Sequence, residues 1–139
     1  MYKKFRKGVF CVVYSGKKYL LLHRKLHWEG WEFPKGGMLA RERESHAAMR
    51  EVIEETGLKI IHLKKFNISG IFLYDKKTQQ ERKAKGFKWK LYAVEVKRTK
   101  VRISKKEHDD YKWLPYDKAL KLLKWADQKK CLKIVNETC

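Results

Sequence analysis

The stretch from Arg43 to Thr56, closed by Gly57, constrains this chain more than any other. It contains no proline or internal glycine and ends on a residue suited to a helix C-terminus, so it predicts a helix over 43–56. At about 100° per residue, Glu51, Glu54 and Glu55 stand near relative angles of about 0°, 300° and 40°. Met49, Val52 and Ile53 stand near about 160°, 100° and 200° on the same wheel. One face is therefore expected to enter a core while the other gathers three carboxylates.

An ordinary solvated face would pair its acids with bases four residues on. Here Glu51 meets Glu55 at that spacing, a like-charge pair that costs an isolated helix about 0.2–0.5 kcal/mol. All three acids also lie toward the helix C-terminus, where the macrodipole disfavours negative charge. Local propensity works against the arrangement, and such conflicts gather at functional sites. A hard divalent cation resolves it, because Mg²⁺ takes carboxylate oxygens and keeps places for water and substrate phosphate.

The flanking sequence reads as strands around this helix. Val9 to Tyr14 is β-branched and aromatic, Ser15-Gly16-Lys17 supplies a turn, and Lys18 to Leu22 resumes the apolar run. Pro34 keeps residues 27–41 out of a helix interior. Further strands are expected over 60–68, over 71–74 and near Trp113-Leu114. A strand in which Phe87, Trp89, Leu91 and Ala93 alternate with Lys88, Lys90, Tyr92 and Val94 is expected to be half-buried. Helices are expected over 117–125 and 126–135. No repeat or linker interrupts residues 1–139, and the element order is that of a single α/β domain.

Composition narrows the class. Lys and Arg number 35 against 16 Asp and Glu, a net +19, while 43% of residues are hydrophobic, so disorder is excluded. The longest apolar run, Val9 to Tyr14, falls far short of the roughly 18 residues of a membrane span. Cys11, Cys131 and Cys139 form no CxxC pair, which favours a reducing, cytoplasmic setting. Residues 76–106 hold 13 Lys and Arg against Glu81 and Glu95, a net +11. This segment is a candidate for weak nucleic-acid binding, or for attracting any compact polyphosphate, or simply a solvated lysine-rich face.

Read from Gly36, the chain runs Gly, five residues, Glu42, seven residues, Arg50-Glu51-Val52, one residue, Glu54-Glu55, one residue, Gly57-Leu58. This resembles the complete Nudix box, GX5EX7REUXEEXGU with U apolar, over residues 36–58. The resemblance implies a Nudix-type α/β/α sandwich with a mixed sheet, and hydrolysis of a nucleoside diphosphate linked to another group with Mg²⁺ or Mn²⁺. It implies that Glu51, Glu54 and Glu55 bind metal, with Gly36 lending a carbonyl, and that Arg50 orients Glu51 or Glu54. Glu42 is expected to fix the loop-to-helix turn. Nudix loops often carry Gly just before that Glu, where this chain has Arg41; a positive φ there would make Arg costlier than Gly.

Three features outside the box resemble the branch that cleaves diadenosine tetraphosphate asymmetrically. Trp31-Glu-Phe-Pro34-Lys35-Gly36 is similar to its WxxPKG entry, whose Lys reaches phosphate. Tyr74 lies 16 residues past Leu58, where that branch carries tyrosine and ADP-ribose hydrolases tend to carry proline. Glu107-His108-Asp-Asp-Tyr111-Lys112-Trp113-Leu114 is similar to its EHxxYRWL segment, whose Glu approaches the metals. RNA 5′-end hydrolases share parts of these markers.

The expected reaction is in-line attack of water on phosphorus. Glu54 is the first choice for the base and Glu107 the second. Lys35 and Lys85 are candidates for outer phosphates, and Tyr74 and Trp31 for contacts to a base. Blander roles stand beside these: Lys35 as a surface lysine, Tyr74 as strand packing, Glu107 and His108 as loop residues without partners. The leading activity is conversion of diadenosine tetraphosphate to ATP and AMP. The alternatives are removal of pyrophosphate or a cap from an RNA 5′ end, and a catalytically silent nucleotide- or RNA-binding protein.

Overall fold

A computed structural model describes residues 1–139. β1 (Phe5–Ser15) and β2 (Lys18–Arg24) form a hairpin turned by Gly16 at a φ of 58°. They pair only at its root, Tyr14 with Tyr19 and Ser15 with Lys18. Beyond the root they diverge. β4 (Lys35–Gly37) pairs antiparallel with β1, while β3 (Gly30–Glu32) and β7 (His108–Pro115) pair antiparallel with β2. β6 (Gly86–Val96) runs parallel to β1, and β5 (Ile60–Leu73) closes the far edge, giving one mixed seven-stranded sheet.

Helices cover both faces. Val9, Cys11 and Val13 of β1 point toward α1 (Glu44–Thr56), which buries Ala47, Ala48 and Val52 against them and against Leu20, Leu22 and Val94. Phe10 and Val12 point the other way, toward α3 (Tyr116–Leu122) and α4 (Ala126–Thr138). There Ala119, Cys131, Leu132 and Val135 pack on Leu21, Phe33, Leu91 and Ala93. The period of two along each strand thus feeds two separate cores. No helix is long and apolar enough to cross a membrane, and all three cysteines are unpaired.

Several expectations change. The strands expected over 60–68 and 71–74 are one strand, with an irregular register between Lys65 and Ser69. A helix not foreseen, α2 (Lys76–Arg82), is capped by the Asp75 side chain accepting from the Thr78 N–H at 2.8 Å. The helix expected to reach residue 125 ends at Leu122, and Trp125 instead precedes α4. β6 is half-buried only at its start; from Leu91 to Val94 both faces are covered, because helices lie above and below a central strand.

The face of α1 also differs. Ile53, expected in the core, is 54% exposed, whereas Glu55 and Thr56 are buried with Ala48 and Val52. The buried arc therefore overlaps the carboxylate side instead of opposing it. Gly57, at a φ of 68°, ends the helix by donating its N–H to the Ile53 carbonyl at 2.8 Å.

Candidate active site

The site begins where β4 hands over to α1. Arg41 does hold a positive φ, 62°, in the connecting loop. Glu42 accepts the Leu39 N–H at 2.9 Å, closing the turn. Arg50 reaches back to the same carboxylate with Nε at 2.7 Å and Nη2 at 2.9 Å, a two-pronged contact. Its remaining donors go to the Gly37 carbonyl at 2.9 Å, Glu51 at 2.9 Å and Glu54 at 3.2 Å. Arg50 and the Leu39 N–H hold the Glu42 carboxyl down at about 2. One guanidinium thus ties loop, strand and helix together.

Gly36 lies directly under Glu51, and a β-carbon on residue 36 would collide with that carboxylate. The missing side chain lets the strand approach the acidic face of α1. Burial raises the Glu51 carboxyl above its ordinary range, with Arg50 working against the shift. Glu55 is 5% exposed and is raised well above that range by burial, then by Glu32, Glu51 and Glu107. Its Oε2 has no hydrogen-bond partner.

Beneath Glu55 lies a buried polar set, of which the sequence had singled out only His108. Glu32 and His108 are fully buried and Arg24 is 5% exposed. Glu32 Oε2 accepts from Arg24 Nη1 at 3.0 Å and meets His108 Nε2 at 2.8 Å. Burial alone would raise the Glu32 carboxyl, yet Lys35, the His108 hydrogen bond and Arg24 together lower it below its ordinary value. Arg24 Nη1 also lies 3.5 Å from Glu107 Oε2. His108, read as a residue that could lack partners, is instead held on one ring nitrogen.

Of these groups, Arg24, Glu51 and Glu107 open on a cleft of about 720 Å³. Gly36, Glu51 and Glu107 lie on its acidic side, and Arg6, Arg24, Lys35 and Arg82 also line it. Lys35 Nζ sits over the rings of Phe72 and Phe87, 5.6 and 5.9 Å from their centroids. Burial pushes its ammonium below the usual lysine range, against the pull of Glu32. Tyr74 lines the cleft, its hydroxyl accepting from Arg6 Nη1 at 3.3 Å and its ring edge-on to Phe72. Trp28 and Trp125, edge to face at 5.5 Å, also line it.

The cleft brings together Gly36, Glu51, Lys35, Tyr74 and Glu107, but not every expected residue. Glu54 turns outward, its side chain 57% exposed and held only by Arg50. Lys85 is exposed, with Nζ over the Phe5 ring. Trp31 pairs with and packs against His23, its ring under Lys112 Nζ, and does not line the cleft. Lys88 and Lys90 alternate with Phe87 and Trp89, both of which line the cleft, so they leave β6 on the opposite face. The dense positive segment and the cleft are thus on different sides of the sheet at that point.

The donor set fits a hard divalent cation. The Glu51 carboxylate sits against Gly36, ligand atoms of Glu55 and Glu107 lie within 4.8 Å of one another, and a buried Glu55 oxygen lacks any partner. Negative charge gathered in a dry place is costly unless a cation shares it.

Sequence reasoning missed Arg24, Glu32, Trp28, Trp125 and the cleft cations Arg6 and Arg82. One signal was present: Arg24 shares its strand face with Leu20 and Leu22, both fully buried beneath α1. Register then sets Glu32 opposite Leu22 and His108 opposite Arg24, so three strands deliver the buried set to one place.

Residues 4–133 match the NUDIX domain family. The chain is 32% identical over 108 residues to an 8-oxo-dGTP diphosphatase of Buchnera aphidicola, covering 76% of this chain and 73% of that protein. It is 36% identical over 59 residues to an RNA pyrophosphohydrolase of Ruthia magnifica, covering 42% of this chain and 33% of that one. The matched stretch spans about a third to a half of three such RNA pyrophosphohydrolases. Among solved structures, a Caenorhabditis elegans Ap4A hydrolase binary complex superposes with a TM-score of 0.75 at 25% identity, covering 95% of this chain and 96% of that one. The Escherichia coli dihydroneopterin triphosphate pyrophosphohydrolase shares the fold, with a TM-score of 0.76 at 21% identity over 96% and 99%.

Proposed function

The chain belongs to the Nudix family, and from that premise we propose that it is a metal-dependent hydrolase of nucleoside polyphosphates whose preferred substrate is diadenosine tetraphosphate, cleaved to ATP and AMP. One observation carries this reading. Glu51, Glu107 and the cations Arg6, Lys35 and Arg82 open on a single cleft that bears aromatic rings from two separate regions of the chain. Phe72 and Tyr74 come from the end of β5 and just beyond it, Trp28 and Trp125 from loops before β3 and α4. A substrate with two bases joined by a polyphosphate has use for both aromatic sets and for the cations.

Glu51, Glu55 and the Gly36 carbonyl would hold Mg²⁺ or Mn²⁺, with Glu107 and Glu54 able to join them. Bound there, the cation supplies charge neutralisation on phosphate oxygens and activation of water. Arg50 keeps Glu51 aimed at the cleft and spans the loop that follows β4, from Gly37 beside Gly36 to Glu42. Lys35 and Arg6 bind phosphate oxygens, and the Tyr74 hydroxyl orients Arg6. Glu107, which lines the cleft, takes precedence over the outward-turned Glu54 as the group that accepts the proton of the attacking water, on a carboxylate oxygen that the cation leaves free. The rings exclude water from the reacting phosphorus and position the bases.

A second reading has its own support: several relatives are named RNA pyrophosphohydrolase. In that reading the same centre removes pyrophosphate from an RNA 5′ end. Product analysis decides between them, with diadenosine tetraphosphate, ADP-ribose, nucleoside triphosphates and 5′-triphosphorylated RNA each supplied with Mg²⁺ and with Mn²⁺. Predominant conversion of the dinucleotide to ATP and AMP is the expected result. Preference for RNA would establish the second reading, and silence across metals and pH would reject both.

A further inference from the structure

Beneath the glutamates, the unclaimed feature is the second ring nitrogen of His108. Its Nδ1 is buried without a hydrogen-bond partner and lies 3.9 Å from Glu55 Oε1. Nε2 lies 2.8 Å from a Glu32 carboxylate flanked by Arg24, and a carboxylate that only accepts favours the tautomer with the ring proton on Nε2. In the neutral ring that leaves Nδ1 as a bare lone pair, aimed toward a carboxylate whose own Oε2 is also unpartnered. Two such groups facing each other in a dry interior are costly unless a proton or a cation lies between them, and a cation satisfies both at once.

Ligand atoms of Glu55, Glu107 and His108 all lie within 4.8 Å of one another, a spacing at which one ion can touch them all. Glu32 completes the pattern. A metal-bound imidazole usually gives its other N–H to a carboxylate, which fixes the tautomer and raises the basicity of the free nitrogen. Glu107, a third exposed and on the cleft wall, provides the way in from solvent.

We propose that His108 Nδ1 is a nitrogen ligand of the metal centre, so that Glu55, Glu107 and His108 form a mixed oxygen–nitrogen site oriented by Glu32. The inference rests on the reading of this centre as metal-dependent and goes beyond its glutamates. It assigns the centre a preference: imidazole nitrogen suits first-row transition cations, whereas Mg²⁺ favours oxygen alone. Co²⁺ or Zn²⁺ should therefore bind more tightly relative to Mg²⁺ than in an all-oxygen site. Arg24 near Glu107 sets a limit, since its charge opposes a second cation close by.

The test is spectroscopic and needs no substrate. Pulsed electron paramagnetic resonance of Mn²⁺ bound to the whole protein, with and without ¹⁵N-histidine labelling, reads directly coordinated nitrogen. The expected result is a nitrogen coupling that changes with the isotope. It should vanish in His108→Gln, with Co²⁺ or Zn²⁺ affinity falling about tenfold or more while Mg²⁺ affinity changes less. Mn²⁺ bound with no nitrogen coupling in the unaltered protein would overturn the proposal and leave the oxygen-ligand reading in place. Failure of the unaltered protein to bind any divalent cation would overturn both. The isotope measurement on the unaltered chain stands even if His108→Gln does not fold.

Discussion

Gly36 and Glu51 share one volume: the carboxylate of the helix residue sits where a side chain of the strand residue would begin. The φ of Gly36 is not positive, so it is this contact, and not backbone freedom, that calls for glycine. Gly36→Ala should therefore displace Glu51 and leave the backbone path intact. Divalent-metal affinity is expected to fall at least about tenfold, with a cost of about 1–3 kcal/mol from overpacking. Calorimetric titration with Mn²⁺ and thermal unfolding in chelator measure the two effects separately.

Glu55→Gln should weaken metal binding and turnover without lowering stability in metal-free buffer. The folded state raises the Glu55 carboxyl above its ordinary 4.5, so the native protein binds its proton more tightly than the unfolded chain. Stability contributed by that proton is present below pH 4.5 and is lost as pH rises through the folded value. Removing the charge removes that loss. Unfolding curves in chelator at pH 4 and pH 7 should converge in the variant, and a marked drop in stability at pH 7 would contradict the assignment.

Glu42 acts with the opposite sign. Arg50 and the Leu39 N–H hold its carboxyl at about 2, against an ordinary 4.5. Its stabilising effect is complete above pH 4.5 and is lost as pH falls through about 2. Glu42→Gln should lower the melting temperature near neutrality and flatten its decline between those values. A pH series of melting temperatures checks the slope.

Trp28 and Trp31 are only three positions apart, yet Trp28 lines the cleft and Trp31 does not. Loss of one stacked base is worth about 1–3 kcal/mol. Trp28→Ala is expected to raise KM for a dinucleoside polyphosphate about tenfold at similar kcat. Trp31→Ala should have a much smaller effect on KM, and steady-state kinetics of both variants tests the contrast.

Lys88 and Lys90 project from the sheet face opposite the aromatic cleft, so they are expected to attract anions without guiding RNA to the site. Binding of single strands should show a log–log salt slope of about −0.7 per phosphate neutralised that stops steepening after the first few nucleotides. RNAs of increasing length, titrated at several salt concentrations with a Glu51→Gln variant, measure it. A slope still growing beyond about ten nucleotides, abolished by reversing the charge of Lys88 and Lys90, would favour RNA-end processing.

Much of this protein was legible locally. The Gly16 turn, the alternation along β1 and the Gly57 stop each depend on neighbours within a few residues, where turn chemistry and periodicity act. The unfavourable like-charge pair Glu51 and Glu55 was legible for the same reason, and so was the box around it. Tertiary structure decided which side of that helix is buried. The wheel set Ile53 inside and the acids outside, but Gly36 lets β4 come up under Glu51, the entry into β7 brings Glu107 and His108 to Glu55, and Glu55 is buried while Ile53 stays in water. The set Arg24, Glu32 and His108 was beyond local reading as well, because cross-strand register joins positions 8 and 76 residues apart. Trp28 and Trp125 meet in the same way, one from a loop before β3 and one before α4. Sequence by itself determined the helix, its turn and the carboxylates it carries. Only long-range packing determined how dry those carboxylates are and which charges and rings surround them, since burial depends on what other segments bring.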